Sequence, residues 1–122
     1  LMEGNQAWCD QAAVLIVALS HKFFIRNGKP NPVHTLDTGM AMQNLLLQAA
    51  SMGLVGHGMA GFHRGTARSV LNVPEEYDVE AMIAIGRPGD PNNLPQQLRK
   101  MDLSPSGRKP IAEIARPGTF GF

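Results

Sequence analysis

The 122-residue sequence has little cysteine, few aromatic residues and little net charge. Its only cysteine, Cys9, excludes an internal disulfide and weakly favours a reducing compartment. The formal net charge is +1 and the basic residues are scattered, so the composition gives no reason to expect nucleic-acid binding. The apolar run 12–19 is too short to cross a bilayer and lacks the flanks of a signal peptide. We therefore expect a soluble, cytoplasmic chain that binds neither nucleic acid nor membrane.

Local signatures of side-chain catalysis are also missing. No G-x-S-x-G motif is present, and neither Cys9 nor Ser51 lies in a nucleophile motif. The histidines do not have the spacing of zinc ligands, and no cysteine or carboxylate cluster accompanies them: they are His21, His34, His57 and His63. We expect solvated or hydrogen-bonded histidines and no metal site.

A long apolar helix beginning near Thr35 is the segment around which the chain is organised. Leucine, methionine and alanine recur at helical spacing between residues 36 and 52, and few polar side chains interrupt them. Thr35 is predicted to cap the helix, Asp37 to complement its dipole, and Gly53 to end it before a glycine-rich turn. Such a helix requires cover, which makes it a central or interface element.

The remaining pattern predicts one α+β domain with a C-terminal arm over residues 87–122. The predicted strands are Ala13–Leu19, buried on both faces, and Val79–Gly86, with a short extended segment at Leu54–Met59. The predicted helices are Glu3–Gln11 with Asn5 as a cap and Trp8 facing inward, Arg64–Leu71, and a turn or two within Gln96–Leu103. Two full strands make a marginal sheet, so we expect another chain to supply cover.

Two short motifs each leave alternatives open. Gly56–Gly61 matches G-x-G-x-x-G, and Glu80 follows roughly 20 residues on, as in a dinucleotide-binding fingerprint. That fingerprint must follow a strand, whereas this one follows a helix. The alternatives are a glycine-rich turn or a backbone edge that approaches a flat ligand. Arg108 and Lys109 are compatible with a phosphate site or with a solvated surface pair.

Five blocks of sequence together resemble the second half of a flavin-dependent nitroreductase. They are GNQAW leading into AVLIVAL, DTGMAMQNLLLQAASMGL, HGMAGF, IAIGRPGDP and SGRKPIAEI. The resemblance implies a nitroreductase-like layered α/β sandwich in an intertwined homodimer, with FMN at the dimer interface. It also implies hydride transfer from NAD(P)H through FMN to a nitroaromatic, a quinone or a similar acceptor. Because FMN carries the redox chemistry, no catalytic side chain is predicted.

The resemblance also assigns cofactor-binding residues. The segment that borders the flavin ring is matched by Gly58, Met59, Ala60 and Gly61. Many relatives have glutamate in place of Ala60. Arg108 matches a residue that reaches the FMN phosphate, and Ser106 stands where some relatives have lysine. The family's amino-terminal phosphate motif has no counterpart, so we expect the carboxy-terminal portion of such an enzyme. The alternative is a family member without flavin that serves as an oligomeric structural or binding module.

Overall fold

The computed structural model describes residues 1–119, and the chain forms two compact units. The first, Leu1–Asp90, contains α1 (Glu3–Cys9), β1 (Val14–His21), α2 (His34–Ser51), β2 (Val55–Met59), α3 (Arg64–Val70) and β3 (Tyr77–Gly86). The second begins at Pro91 and contains a 3-10 turn (Pro91–Asn93), α4 (Gln96–Asp102) and α5 (Ile111–Ile114). The division into one domain with an arm from residue 87 stays a prediction.

The three strands form an antiparallel sheet in the order β1-β3-β2. The central strand is β3, whose Ile83 pairs with Ile16 of β1 on one side and with Gly58 of β2 on the other. The short extended segment predicted at 54–59 is therefore the third strand. The prediction that the first strand is buried on both faces is wrong for this chain, because β1 lies at an edge and leaves Val14 and Leu15 exposed.

The long helix α2 packs against the sheet and is close to its predicted extent. Asp37 lies in its first turn, as predicted. Thr35 is not the cap, because the helix already includes His34 and no side chain caps its amino end. Gly53 ends the helix as predicted: its φ of 72° is in the left-handed region that favours glycine, and its N–H donates to Ala50 O at 3.0 Å.

One face of α2 carries apolar side chains that residues 1–119 leave exposed. Leu36, Met40 and Leu47 recur at helical intervals and are 60%, 54% and 59% exposed. We call these three residues the exposed α2 stripe. Their exposure agrees with the prediction that this helix needs additional cover. No helix within residues 1–119 is both long and apolar enough to span a membrane.

The buried apolar residues form two small clusters, each of which includes a residue of β3. One contains Cys9, Met59 and Ala84, with Trp8 packed against it, so the inward-facing Trp8 is confirmed. The other contains Phe62, Val73 and Val79. Because Met59 and Phe62 belong to different clusters, the residues between them are held at both ends. The two intervening residues, Ala60 and Gly61, are the end of the glycine-rich segment Gly56–Gly61 singled out by its sequence.

Candidate functional site

The segment Gly58–Gly61 contains the last two residues of β2 and the first two residues beyond it, where the pairing of β2 with β3 ends. The last register pair of β2 is Met59 with Met82, and the Met59 side chain is only 6% exposed. Met59 is therefore an anchor in the core. Ala60 follows it outside the strand and is exposed. This geometry brings the four predicted residues of the segment together as one stretch of backbone, with its only large side chain directed inward.

The same geometry excludes the dinucleotide fingerprint. Gly56 and Gly58 lie inside β2, whereas the fingerprint places its glycines in the turn between a strand and a helix. The sheet is also antiparallel throughout. Gly56 has a packing role instead, because a Cβ there would lie 2.5 Å from Leu46 Cδ2. Glu80, which stands at the spacing of the fingerprint's acidic residue, lies on β3 and accepts a hydrogen bond from Ser20 Oγ.

Residues 60–62 form a tight turn with two available donors. Phe62 N donates to Ala60 O at 2.9 Å, which closes a three-residue turn. Within residues 1–119, neither the Ala60 nor the Gly61 backbone N–H donates a hydrogen bond to the protein. We call these two groups the amide edge. An isoalloxazine ring carries acceptor nitrogen and oxygen atoms along its rim, so the amide edge fits such a ring chemically.

Asn5 lies against this turn. It was predicted to cap α1, but the cap position is Met2, and Asn5 sits within the helix. Its Nδ2 donates to Gly61 O at 3.0 Å, and Met2 N donates to the same oxygen at 3.0 Å. A Cβ on Gly61 would lie 2.5 Å from that Nδ2. No local pattern reveals this contact, because 56 residues separate its partners.

Ser106 and Arg108 lie in the second unit and are neighbours there. Arg108 Nη1 donates to Ser106 Oγ at 2.6 Å and to Gly107 O at 3.1 Å. Both side chains are exposed. The guanidinium is therefore held close to its own backbone while its charge faces solvent. A cation steadied in this way is suited to binding a phosphate group.

A separate polar cluster lies where β3 contains an irregularity. The register passes from Ala18 with Ala81 to Leu19 with Val79, so Glu80 has no partner in the ladder. Its carboxylate accepts a hydrogen bond from Ser20 Oγ at 2.5 Å, and Ser20 Oγ lies 2.8 Å from His34 Nδ1. Ser20 is only 2% exposed. The cluster links β1, β3 and the first turn of α2.

Asp78 lies at the margin of this cluster. Its carboxylate, the Glu80 carboxylate and a His34 ring nitrogen lie within 4.8 Å of one another. Lys22 Nζ is 3.8 Å from Asp78 Oδ1. The hydrogen bond between His34 and Ser20, with that between His21 and Phe23 O, fits the expectation of hydrogen-bonded histidines. The prediction that no carboxylates accompany the histidines is wrong for His34, because the fold brings Asp78 and Glu80 to it from a distant strand. Ser20 bonds both His34 and Glu80, and Lys22 pairs with Asp78, so we assign the cluster a structural role.

The cysteine offers no activated nucleophile. Cys9 is buried, and burial raises the pKa of its thiol, with the nearby Asp10 carboxylate adding to the effect. A raised pKa keeps the sulfur protonated and unreactive near neutral pH.

Comparison with known proteins gives consistent matches. The sequence model of the nitroreductase family matches residues 1–87. An uncharacterised 15.4 kDa protein in the ask 5′ region of Mycolicibacterium smegmatis is 30% identical over 86 residues, covering 70% of this chain and 58% of that protein. A solved structure of an oxidoreductase containing FMN superposes with a TM-score of 0.90 at 36% identity, covering 99% of this chain and 62% of that one.

A more distant solved structure agrees in fold. NfrA2 of B. megaterium superposes with a TM-score of 0.71 at 22% identity, covering 97% of this chain and 50% of that one. Each of these relatives is longer than the matched region. The chain spans about three fifths of the length of the M. smegmatis protein and of the FMN-containing oxidoreductase.

Proposed function

Because this chain belongs to the nitroreductase family and has the predicted nitroreductase-like α+β fold, we propose that it forms part of an FMN-dependent oxidoreductase. The observation that carries the proposal is the amide edge of Ala60 and Gly61, two donors without acceptors within residues 1–119. The structure similar over 99% of this chain is that of an oxidoreductase containing FMN, which supports the choice of cofactor.

The chain's own contribution is binding and orientation. The N–H groups of Ala60 and Gly61 donate to the rim of the isoalloxazine ring, while Met59 anchors the segment in the core. FMN, when bound, supplies hydride transfer from NAD(P)H to an acceptor such as a nitroaromatic or a quinone. No acid or base of this chain is assigned to that transfer. The exposed methyl of Ala60 leaves the outer side of the turn open.

Ser106 and Arg108 are proposed to hold the FMN phosphate. The support is local: Arg108 is fixed by Ser106 Oγ at 2.6 Å and keeps an exposed positive charge. The charge-assisted hydrogen bonds that an arginine forms to a phosphate are stronger than those from a neutral donor, so they contribute more to the binding free energy.

We further propose that the active form is a homodimer. The exposed α2 stripe is an apolar surface in contact with water. Its burial against a partner would stabilise the dimer by roughly 25 cal/mol for each Å² of apolar surface removed from water. An edge strand with exposed Val14 and Leu15 adds further uncovered apolar surface. In the family to which this chain is similar, FMN at a dimer interface is the expected arrangement. The proposed partner is thus a second copy of this chain.

Anaerobic reduction tests the proposed function. The chain is loaded with FMN, and NADPH or NADH is added without oxygen. We expect the flavin absorbance to bleach with at least one nucleotide and to recover when a nitroaromatic or a quinone is added. Flavin that stays oxidised with both nucleotides would contradict the oxidoreductase assignment. A chain that takes up no FMN would favour the alternative of a module without flavin.

A further inference from the structure

The peptide group between Gly61 and Phe62 is held at both of its polar atoms. Its carbonyl oxygen accepts hydrogen bonds from Met2 N and Asn5 Nδ2, each at 3.0 Å. Its N–H, which belongs to Phe62, donates to Ala60 O at 2.9 Å. A peptide group fixed by three hydrogen bonds has little freedom to rotate.

This restraint determines where the preceding amide lies. Because Ala60 O is engaged by Phe62, the peptide group between Ala60 and Gly61 is also fixed at its oxygen. Its remaining polar atom is the Gly61 N–H, one of the two donors of the amide edge. The Asn5 side chain also occupies the space that a Cβ on Gly61 would need, so it limits movement of the turn in that direction.

We propose that Asn5 is a positioning residue that presents the amide edge to the flavin ring. The proposal rests on the proposed function and adds to it a residue in a helix distant in sequence. Donors fixed in advance stabilise the charge that accumulates on the reduced ring better than mobile donors do. Loss of the Asn5 hydrogen bond should therefore weaken FMN binding and make the midpoint potential of the bound flavin more negative.

Three variants test the proposal. Asn5→Ala removes the side-chain amide, and Asn5→Asp keeps its shape but replaces the donor by an acceptor. Gln6→Ala is the matched control, because Gln6 Nε2 donates to Leu1 O at 3.0 Å in the same helix and is exposed. We measure the FMN dissociation constant, the midpoint potential, and amide hydrogen exchange of Phe62 without flavin.

The two Asn5 variants should bind FMN about fivefold more weakly. They should also shift the potential downwards and speed Phe62 exchange, whereas Gln6→Ala should change none of these. A wild-type potential and affinity in both Asn5 variants would overturn the proposal, even if their melting temperatures fell. If the wild-type chain takes up no FMN, the proposed function fails on that result alone. The role of Asn5 in positioning the turn is then tested separately: it is contradicted if neither Asn5 substitution changes the rate of Phe62 amide exchange.

Discussion

At the scale of single residues, the glycines of the site have different reasons to be glycine. Gly53 needs a left-handed backbone, Gly56 makes room for Leu46, and Gly61 makes room for Asn5. Gly56 and Gly61 both match glycines of the G-x-G-x-x-G motif. The need for glycine at each position comes instead from the side chain beside it in the fold. Gly61 has no left-handed φ, so a side chain there meets a steric rather than a conformational obstacle.

The steric explanation of Gly61 predicts a coupled pair of substitutions. Gly61→Ala places a Cβ 2.5 Å from Asn5 Nδ2 and should cost about 1–3 kcal/mol in the free energy of unfolding. In an Asn5→Ala background the obstacle is gone, so the same change should cost much less. Denaturant unfolding of the four proteins gives the coupling energy. Strictly additive costs would contradict the assigned role of Asn5.

A second prediction concerns the contribution of the Arg108 side chain to FMN binding. Arg108→Ala should weaken FMN binding by about 1.5–3 kcal/mol, the size of a hydrogen bond to a charged group. The absorption spectrum of the bound flavin should change little, because the proposed contact is with the phosphate. Titration of FMN into the variant measures this. The control is Arg99→Ala, which removes a half-buried arginine of the second unit that donates to Asn92 Oδ1 at 3.3 Å. Equal dissociation constants for the two variants would remove Arg108 from the site.

At the scale of elements, the polar cluster at the β3 irregularity ties the start of α2 to the sheet. Ser20 is its buried member and bonds both Glu80 and His34. Ser20→Ala should lower the free energy of unfolding by about 1–3 kcal/mol, since two polar partners lose a hydrogen bond. Ser69→Ala is the control, because that hydroxyl is exposed and donates to Gly65 O within its own helix. Chemical denaturation measures the free energy of unfolding of both variants. If Ser20→Ala and Ser69→Ala lower it equally, the cluster adds no stability.

Features that depend on local sequence could be predicted, whereas contacts between distant elements could not. Helix α2, its closing Gly53 and the central strand β3 follow from spacing, because apolar periodicity and glycine conformation are local properties. The unpaired Glu80 does not follow, since register depends on the partner strand. Asn5 illustrates the same limit: its partner is 56 residues away, and a polar residue near a helix start resembles a cap.

At the scale of the whole molecule, the exposed α2 stripe is a contiguous apolar surface of the kind that marks an interface. Leu47→Asp should dissociate or unfold the protein, because a charge buried without a partner costs several kcal/mol. Gln48→Asp is the control, with the same charge on the same helix outside the exposed stripe. Light scattering of both variants gives the mass in solution. A compact, cooperatively folded wild-type monomer at micromolar concentration would contradict the dimer proposal.

The central claim is that the turn after β2 receives a flavin through the Ala60 and Gly61 amides. Titration of FMN into isotopically labelled chain, followed by amide NMR, tests it most directly. We predict saturable shifts that are largest at Ala60, Gly61 and Phe62, with the amides of α4 and α5 outside the ring site affected less. Saturable binding that leaves the amides of residues 60–62 unmoved would contradict the account, as would the absence of any binding.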